Sequence, residues 1–306
     1  MIIFYGRSDD PPLMRAIEEA QKTATEYLFL DQGCCSTYDL LLELGEPSPT
    51  GMLSAGGRTI SLHSVRGVYA RPLEPPMPHI DALERIRAQT FHEIFMEWIE
   101  VAEAVVVNRP RAMESNNSKP FQIQQIGAAG FDVPETLVTN DPDEARAFWT
   151  AHGRVIYKSI SGIRSIVKEL DGPAADRLER IRDLPTQFQA YVPGEDIRVH
   201  VVGTKTFATV IRSQAVDYRY AGRDGLEATL EIIELPQDIL GRCVSLAERL
   251  CLPLCGIDLR RMPQGRWVCF EVNPMPAYTY FQDNSGLPIS RAIVNLVSEE
   301  TVATGG

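Results

Sequence analysis

The sequence predicts an α/β protein, with an open, mostly parallel sheet in its first third followed by two smaller α+β units. Three observations predict this class. Short apolar strands alternate with helix-spaced segments in the first third, an order typical of a parallel sheet. A second group of strands with one helix spans about residues 133–190. The last third contains two pairs of strands around a helix.

In the first third, strands are predicted by short apolar runs and helices by apolar residues at helical spacing. The predicted strands are Ile2–Tyr5, Tyr27–Leu30, Val68–Arg71 and Val105–Asn108. The predicted helices are Pro12–Thr25 and Ile80–Ala104, and the second carries a stripe of Phe, Met and Trp. That stripe indicates a core or subunit contact. The stretch Gly45–Gly57 is rich in Gly, Pro and Ser and predicts a loop.

The same patterns predict the elements of the two α+β units. Helices are expected at Asn116–Ala129, Pro173–Arg182 and Pro236–Leu250. Strands are expected at Val133–Thr139, Val155–Ser159, Phe188–Val192, Arg198–Val202, Phe207–Arg212, Leu254–Arg260 and Trp267–Val272.

Composition excludes several classes of function. The chain has 306 residues, 44% of them apolar and 23% charged, as expected of a folded enzyme. Its net charge of −11 argues against nucleic acid as a partner. No apolar run is long enough for a membrane helix, and the N-terminus does not resemble a signal peptide. The six cysteines form no CxxC pair and the five histidines no metal-ligand spacing, so we expect free thiols in the cytoplasm.

The most informative motif lies near the C-terminus, where two apolar strands end in acidic and amide side chains. Glu271 and Asn273 are two residues apart on one strand and face the same side. A hairpin through Pro263-Gln264-Gly265 would bring Asp258 beside them. These hard oxygen donors predict a Mg²⁺ site, with Mn²⁺ as a substitute. The alternative is a hairpin whose polar side chains lie above an Asn-Pro turn and bind no metal.

Further upstream, several segments have the character of a nucleotide site. Lys158 ends an apolar strand and precedes a small-residue loop with Ser161 and Gly162, whose backbone amides would close over phosphates. Lys119 offers a second cation. The alternatives are solvated lysines and a simple hairpin turn.

Further on, a strand runs into a Pro-Gly bend with two acidic residues. The backbone of this segment would hydrogen-bond to the edge of adenine, and a carboxylate would bind the ribose. The residues of that segment are Gln189, Ala190, Tyr191, Val192, Glu195 and Asp196. Its alternative is an edge strand with a charged turn.

The order of these parts resembles the ATP-grasp carboxylate–amine ligases, and within them the RimK-type branch and its microviridin (graspetide) peptide ligases. The resemblance covers nearly the whole chain. It rests on the site residues above together with Arg212 and Arg219, and on several local motifs. These motifs are Val68-Tyr69-Ala70-Arg71-Pro72, Val107-Asn108-Arg109-Pro110, the run from Pro134 to Pro142, Ser213-Gln214 with Asp217-Tyr218-Arg219, and Gly286-Leu287-Pro288.

The resemblance implies the ATP-grasp fold, in which two α+β subdomains sandwich ATP. Residues 1–115 would form the N-terminal domain, 116–190 the central subdomain with the phosphate loop, and 191–306 the C-terminal subdomain with the metal ligands. Lys119 and Lys158 would hold the α- and β-phosphates, and the 189–192 backbone the adenine. Glu195 or Asp196 would bind the ribose. Arg212 would neutralise the transferring γ-phosphoryl group, Arg219 would lie close by, and Asp258, Glu271 and Asn273 would hold Mg²⁺.

The implied reaction activates a carboxylate as an acyl phosphate, which an amine or hydroxyl then attacks, with ADP as product. The substrate would be a peptide or a small carboxylate, a leader peptide would dock on the N-terminal domain near Arg71, Arg109 and Arg111, and the protein would be a homo-oligomer. Two departures from related chains concern Ala277, where a glycine is common, and the Gly-poor phosphate loop. A phosphotransferase and a non-catalytic nucleotide-binding scaffold are the alternative functions.

Overall fold

A computed structural model of the chain describes residues 1–45, 49–73, 81–160, 167–213 and 228–299. Its strands are β1 Ile2–Gly6, β2 Tyr27–Asp31, β3 Asp39–Glu43, β4 Thr50–Ala55, β5 Arg58–Ser61, β6 Gly67–Arg71, β7 Val105–Val107, β8 Thr136–Thr139, β9 Val155–Ser159, β10 Lys168–Glu169, β11 Thr186–Ala190, β12 Glu195–Val202, β13 Lys205–Ser213, β14 Ala228–Ile233, β15 Leu254–Arg261 and β16 Trp267–Asn273. Its α-helices are α1 Pro11–Lys22, α2 Ala82–Val101, α3 Pro110–Met113, α4 Lys119–Ala128, α5 Pro142–His152, α6 Gly172–Ala175, α7 Gln237–Arg249, α8 Thr279–Ser285 and α9 Ile289–Ser298.

The first sheet is parallel, in the order β2-β1-β6-β7, which confirms the predicted open parallel sheet. Its two faces are covered by different helices because neighbouring residues of a strand point to opposite sides. Phe4 packs with α1, whereas Tyr5 packs with α2. The chain enters α1 through Asp10, whose carboxylate accepts from the Leu13 amide at 3.1 Å.

The C-terminal helix α9 returns to this first sheet. It packs with α1 on the face that carries Phe4, next to β6 and β7. The approach is close at Gly67, where a Cβ would lie 1.9 Å from the Val297 carbonyl oxygen. The two ends of the chain therefore share one hydrophobic core.

A small antiparallel sheet in the order β3-β4-β5 corrects the loop predicted for Gly45–Gly57. Residues 46–48 of that stretch lie outside the described residues. Leu53 and Ile60 pair across this sheet and are buried against the first core, which explains why the segment becomes a strand despite its glycines and serines.

The central unit has the antiparallel order β10-β9-β11-β8, with α5 and α6 packed on one face. The helix predicted for Pro173–Arg182 is instead the four-residue α6 followed by a 3₁₀ segment at Leu178–Asp183. The buried residues of the 3₁₀ segment, Leu178 and Ile181, are three apart, which matches the three residues per turn of a 3₁₀-helix.

The last unit is an antiparallel sheet in the order β14-β13-β12-β15-β16. One face packs on α7 through residues such as Ile197, Val199 and Ile257. The other face carries the polar side chains of the site. Among the described residues, no helix has both the length and the apolar character needed to cross a bilayer.

Candidate functional site

The hairpin of β15 and β16 contains a β-bulge between Asp258 and Leu259. Leu259 pairs with Cys269, but Asp258 pairs with Glu271, so Phe270 is an extra residue on β16. In a regular register Glu271 would lie opposite Ile257, on the apolar face that packs against α7. The bulge instead places Glu271 opposite Asp258, so both carboxylates project from the polar face of the sheet.

Asn273 completes this set of oxygen donors. It pairs with Gly256 and lies two residues beyond Glu271, on the same face. Its Oδ1 accepts from the Met275 amide at 2.9 Å, which fixes the side-chain amide at the start of the Asn-Pro turn. Two carboxylates and one amide oxygen on neighbouring strands are a donor set that fits Mg²⁺. In the described ranges, no group of three or more His, Cys, Asp or Glu side chains is placed to hold a metal ion.

Each carboxylate of the pair is compensated by a cation. The Arg198 guanidinium, on β12, donates to Asp258 Oδ1 at 2.6 Å. The Lys119 ammonium, at the start of α4, lies 3.4 Å from Glu271 Oε2 and 3.3 Å from Asn116 Oδ1. Two like charges on adjacent strands repel each other, so these cations stabilise the pair.

The Arg198 side chain lies over a glycine, Gly256, on the next strand. A Cβ at Gly256 would lie 1.9 Å from Arg198 Nη2, so the guanidinium passes directly over this glycine. Burial of His200, and to a smaller extent the charge of the buried Arg198 beside it, keeps the pKa of His200 well below its usual range. His200 is therefore neutral at pH 7, in keeping with the structural role that its place within a strand favours.

Two buried side-chain amides hold the strands that carry Asp258, Glu271 and Asn273. Gln122, on α4, donates to the Val272 carbonyl at 2.9 Å and accepts from the Val272 amide at 3.0 Å. Asn108, after β7, donates to the carbonyls of Leu254 and Pro274 and accepts from the Leu254 amide. Val272 lies between Glu271 and Asn273, so Gln122 sets the position of both. Sequence reasoning missed Gln122, although a polar residue one turn before the buried Ile126 is a weak signal of such a contact.

Replacing Gln122 with leucine is expected to lower the free energy of unfolding by about 2–4 kcal/mol, because two buried backbone groups of Val272 lose their partner. Urea unfolding followed by circular dichroism measures the loss. Gln124→Leu on the exposed side of α4 is the matched control, with an expected change within about 0.5 kcal/mol. Equal effects of the two substitutions would show that Gln122 does not anchor β16.

Lys158 lies on the face of the central sheet that is opposite the hydrophobic core of that sheet. Lys158 pairs with Gln187, and both alternate with the partly buried Tyr157 and the buried Phe188, which pack toward α5. Gln189 shares the face of Lys158 and donates to Thr136 Oγ1 at 3.0 Å. This strand pair and the hairpin that carries Asp258 and Glu271 belong to different sheets.

The segment from Gln189 to Val192 joins the two sheets through Arg260. Arg260 Nη1 donates to the Val192 carbonyl at 2.7 Å, and its Nε donates to Asp196 Oδ1 at 2.7 Å. The Tyr191 ring stacks under the Arg154 guanidinium at 3.5 Å. Arg260 was missed by sequence reasoning, although its spacing of two from Asp258 places it on the same face.

The amides of Ala190 and Tyr191 donate to the carbonyls of Glu135 and Arg154, at 2.9 Å each. Within the described part of the chain, the Val192 amide donates to no backbone carbonyl.

Glu195 and Arg212 lie on the opposite face of the C-terminal sheet from Asp258. Arg212 donates to Glu195 at 3.2 Å and to Glu231 at 2.8 Å, and Glu195 also accepts from Arg261 at 2.5 Å. The hydrogen bond from Arg261 lowers the pKa of Glu195 below its usual range, because it outweighs desolvation, which alone would raise that pKa. Asp196 alternates with Glu195 and faces the side of Asp258. Glu195 and Asp196, which the sequence left as alternatives for binding the ribose, thus lie on opposite faces of the sheet.

Three of the predicted site residues cannot be placed. Ser161, Gly162 and Arg219 lie outside the described residues.

Two of the three arginines expected near a docked leader peptide make contacts within the protein instead. Arg71 is 4% exposed and is paired with Asp10. Arg109 donates to carbonyls at the C-terminal end of α2, including Ile99 and Ala102, both at 2.8 Å. These guanidinium groups hold elements together, whereas Arg111 is exposed.

Comparison with known proteins gives the site a context. A family model described as the RimK-like ATP-grasp domain matches residues 117–297. A protein of Enterobacter sp. (strain 638) named "Probable alpha-L-glutamate ligase" is 26% identical over 246 residues, which cover 75% of this chain and 80% of that protein. The solved structure of ATP-grasp ligase PsnB complexed with a phosphomimetic variant of its minimal precursor, Mg and ADP is 26% identical, with 97% of each chain covered and a TM-score of 0.78. Macrocyclase MdnC of Microcystis aeruginosa MRC, bound with precursor peptide MdnA, is 19% identical, with 97% and 99% covered and a TM-score of 0.79.

Proposed function

Because the chain belongs to the RimK-like ATP-grasp family of ligases, we propose that it activates a carboxylate of a peptide with ATP and joins it to an amine or hydroxyl. The carboxylate oxygen would attack the γ-phosphorus of ATP and release ADP. The nucleophile would then attack the carbonyl carbon of the acyl phosphate, releasing phosphate and losing its proton.

The observation that carries this proposal is the paired set Asp258 and Glu271 with Lys119 beside it. Phosphoryl transfer depends mainly on positioning and on cations that spread the charge of the transferring group. Asp258, Glu271 and Asn273 would hold one or two Mg²⁺ ions, which when bound neutralise charge on the phosphate oxygens. Lys119 is 3.4 Å from Glu271, and its ammonium would contact a phosphate oxygen of the nucleotide.

The nucleotide would lie between the polar faces of the central and C-terminal sheets. Lys158 would contact the phosphates, with the loop containing Ser161 and Gly162 closing over them. The Val192 amide would donate to the adenine edge within the 189–192 segment. Of the two candidate acids we propose Asp196 for the ribose, because it shares the face of Asp258 whereas Glu195 does not.

Arg212 and Arg219 remain predicted partners of the transferring phosphoryl group and of the acceptor carboxylate. To reach that group, Arg212 would have to exchange its contacts with Glu195 and Glu231 for a phosphate oxygen at the end of the sheet.

A peptide substrate is supported by the relatives. PsnB, at 26% identity over nearly its whole length, is complexed with a peptide precursor, Mg and ADP. The relative named a glutamate ligase supports ligation of an amino acid instead. The two products differ in mass, since an internal amide or ester forms with loss of one water, whereas glutamate addition increases the mass by a glutamyl residue.

The test is to incubate the purified protein with ATP, Mg²⁺ and a low-mass extract of its host, and to follow ADP and product masses together. ADP release coupled to loss of water from a peptide supports the proposal. ADP release coupled to gain of a glutamyl residue identifies glutamate as the amine, whereas gain of a phosphate without condensation overturns the proposal. Lys158→Ala is expected to lower the rate about 100-fold, as loss of a group that stabilises the transition state does. The exposed Lys168→Ala on the same sheet is the control and should leave it unchanged.

A further inference from the structure

The segment that follows Asn273 is held against the first sheet at every second residue. Pro274, Pro276 and Tyr278 are buried. Tyr278 packs in the core shared by α1 and α9, and its hydroxyl donates to the Pro12 carbonyl at 2.6 Å. Proline has no backbone N–H, so the carbonyl is the polar backbone group by which each of the two later prolines can be fixed.

Asn108 fixes the first of these two carbonyls. Its Nδ2 donates to the Pro274 carbonyl at 2.5 Å and to the Leu254 carbonyl at 2.7 Å, and its Oδ1 accepts from the Leu254 amide at 3.1 Å. Leu254 begins β15, and Pro274 follows the last residue of β16. The buried Asn108 side chain therefore joins the two strands at the open end of the hairpin, next to Asn273.

Arg71 fixes the second carbonyl. Its Nη1 donates to the Pro276 carbonyl at 3.1 Å, and its Nε donates to Asp10 Oδ2 at 2.5 Å. Both side chains of this ion pair are buried, so the guanidinium has little freedom to move. Arg71 ends β6 and Asn108 follows β7. Because these strands are parallel neighbours, both residues lie at the carboxyl edge of the first sheet.

The backbone on both sides of Asn273 is thus fixed by other elements. Val272 is held from α4, whereas Pro274 and Pro276 are held from the first sheet. Asn273 Oδ1 accepts from the Met275 amide, which lies between the two fixed carbonyls. The direction of this side-chain oxygen therefore follows the position of the turn. An amide oxygen has two lone pairs, so Oδ1 can accept this hydrogen bond and still bind a cation.

We propose that Arg71 and Asn108 are positioning residues that set where Asn273 presents its oxygen to Mg²⁺. This inference rests on the proposed function, in which Asp258 and Glu271 hold the same ion. Loss of a contact that orients a metal ligand typically weakens metal binding about 10- to 100-fold. A contact that only stabilises the fold leaves the metal affinity of the folded chain unchanged, and this difference makes the role testable.

Mn²⁺ binding to the full chain in the presence of ADP tests the role, with electron paramagnetic resonance measuring free Mn²⁺. Asn108→Ala removes all three hydrogen bonds of the amide. Arg71→Lys keeps a positive charge beside Asp10 but loses the donor to Pro276. Each change is expected to raise the Mn²⁺ dissociation constant about 10-fold, because the ligand oxygen is then less well placed. Arg71→Lys preserves the buried charge, so it tests the proposal even where Asn108→Ala does not fold.

Gln32→Ala is the matched control. Gln32 is buried just after β2, and its amide also pairs with both backbone groups of one residue. Its Nε2 donates to the Leu73 carbonyl at 3.2 Å, and its Oε1 accepts from the Leu73 amide at 3.0 Å. Both bonds go to Leu73 rather than to the hairpin. Gln32→Ala should therefore lower the urea midpoint while the Mn²⁺ dissociation constant stays within about 2-fold of the parent.

The effect on metal binding should pass through Asn273. In an Asn273→Ala background, Asn108→Ala is expected to change the Mn²⁺ dissociation constant less than about 3-fold, because the oxygen that it positions is gone. A change as large as in the parent overturns the proposal. An unchanged constant in both single variants, or an equal rise in Gln32→Ala, overturns it as well.

Glu271→Gln separates a failure of this inference from a failure of the proposed function. A parent that binds no Mn²⁺ with ADP, or binds it equally well after Glu271→Gln, overturns the metal set and this inference with it. If Glu271→Gln weakens binding but neither Asn108→Ala nor Arg71→Lys does, only the positioning role is overturned. Circular dichroism of each variant shows that binding is measured on folded protein.

Discussion

Replacing Glu271 with glutamine is expected to lower the rate of ADP formation at least about 100-fold while the chain stays folded. Losing a group that only supports a metal ligand costs about 10- to 100-fold, and Glu271 is proposed as a ligand itself. Glutamine keeps the shape of the side chain but removes the negative charge that Mg²⁺ requires. It also leaves Lys119, 3.4 Å away, without the carboxylate that it approaches.

The measurement is ADP release with the substrate identified by product mass, together with Mn²⁺ titration in the presence of ADP. Glu248→Gln, an exposed position on α7, makes the same chemical change away from the site and should behave as the parent. Full activity or unchanged Mn²⁺ affinity in Glu271→Gln would show that the metal is held elsewhere.

Replacing Arg71 with alanine is expected to lower the free energy of unfolding by about 3–5 kcal/mol, because Asp10 becomes a buried charge without its partner. The Arg71 and Asp10 side chains are only 4% and 8% exposed. Arg71 also donates to the Pro276 carbonyl at 3.1 Å, just beyond Asn273, so the turn after Asn273 loses a contact with the first sheet.

Urea unfolding compares this variant with Arg7→Ala, which breaks an exposed ion pair with Asp9 and is expected to cost at most about 1 kcal/mol. Adding Asp10→Asn to Arg71→Ala removes the unpaired charge and keeps an N-cap for α1, so part of the stability should return. Arg71→Ala and Arg7→Ala with the same cost would contradict the assigned role of the buried pair.

Most of the regular elements could be predicted because their patterns are local. Continuous apolar runs such as Ile2–Tyr5 indicated buried parallel strands, and the spacing in α2 indicated a helix with an apolar face. The family resemblance rested on residue types in order, and the family model confirms it. The sheet of β3, β4 and β5 was missed because its two buried side chains, Leu53 and Ile60, lie among glycines and serines.

The positions of the arginines could not be predicted in the same way. The sequence marks Arg71 and Arg109 as charged, and charged groups are usually exposed. Burial of Arg71 depends on Asp10, 61 residues earlier in the chain, and the contacts of Arg109 depend on where α2 ends. Similarly, Arg260 and Gln122 acquire their roles from partners on other elements.

The sequence by itself determined the chemistry that this chain offers: hard oxygen donors at the ends of two neighbouring strands, lysines upstream of them, and the order typical of a RimK-like ATP-grasp protein. Only the tertiary structure decided which of these groups face each other. Strand side chains alternate, so a single extra residue reverses the face of everything beyond it. Phe270 is that residue, and without its bulge Glu271 would point to the apolar face rather than stand beside Asp258.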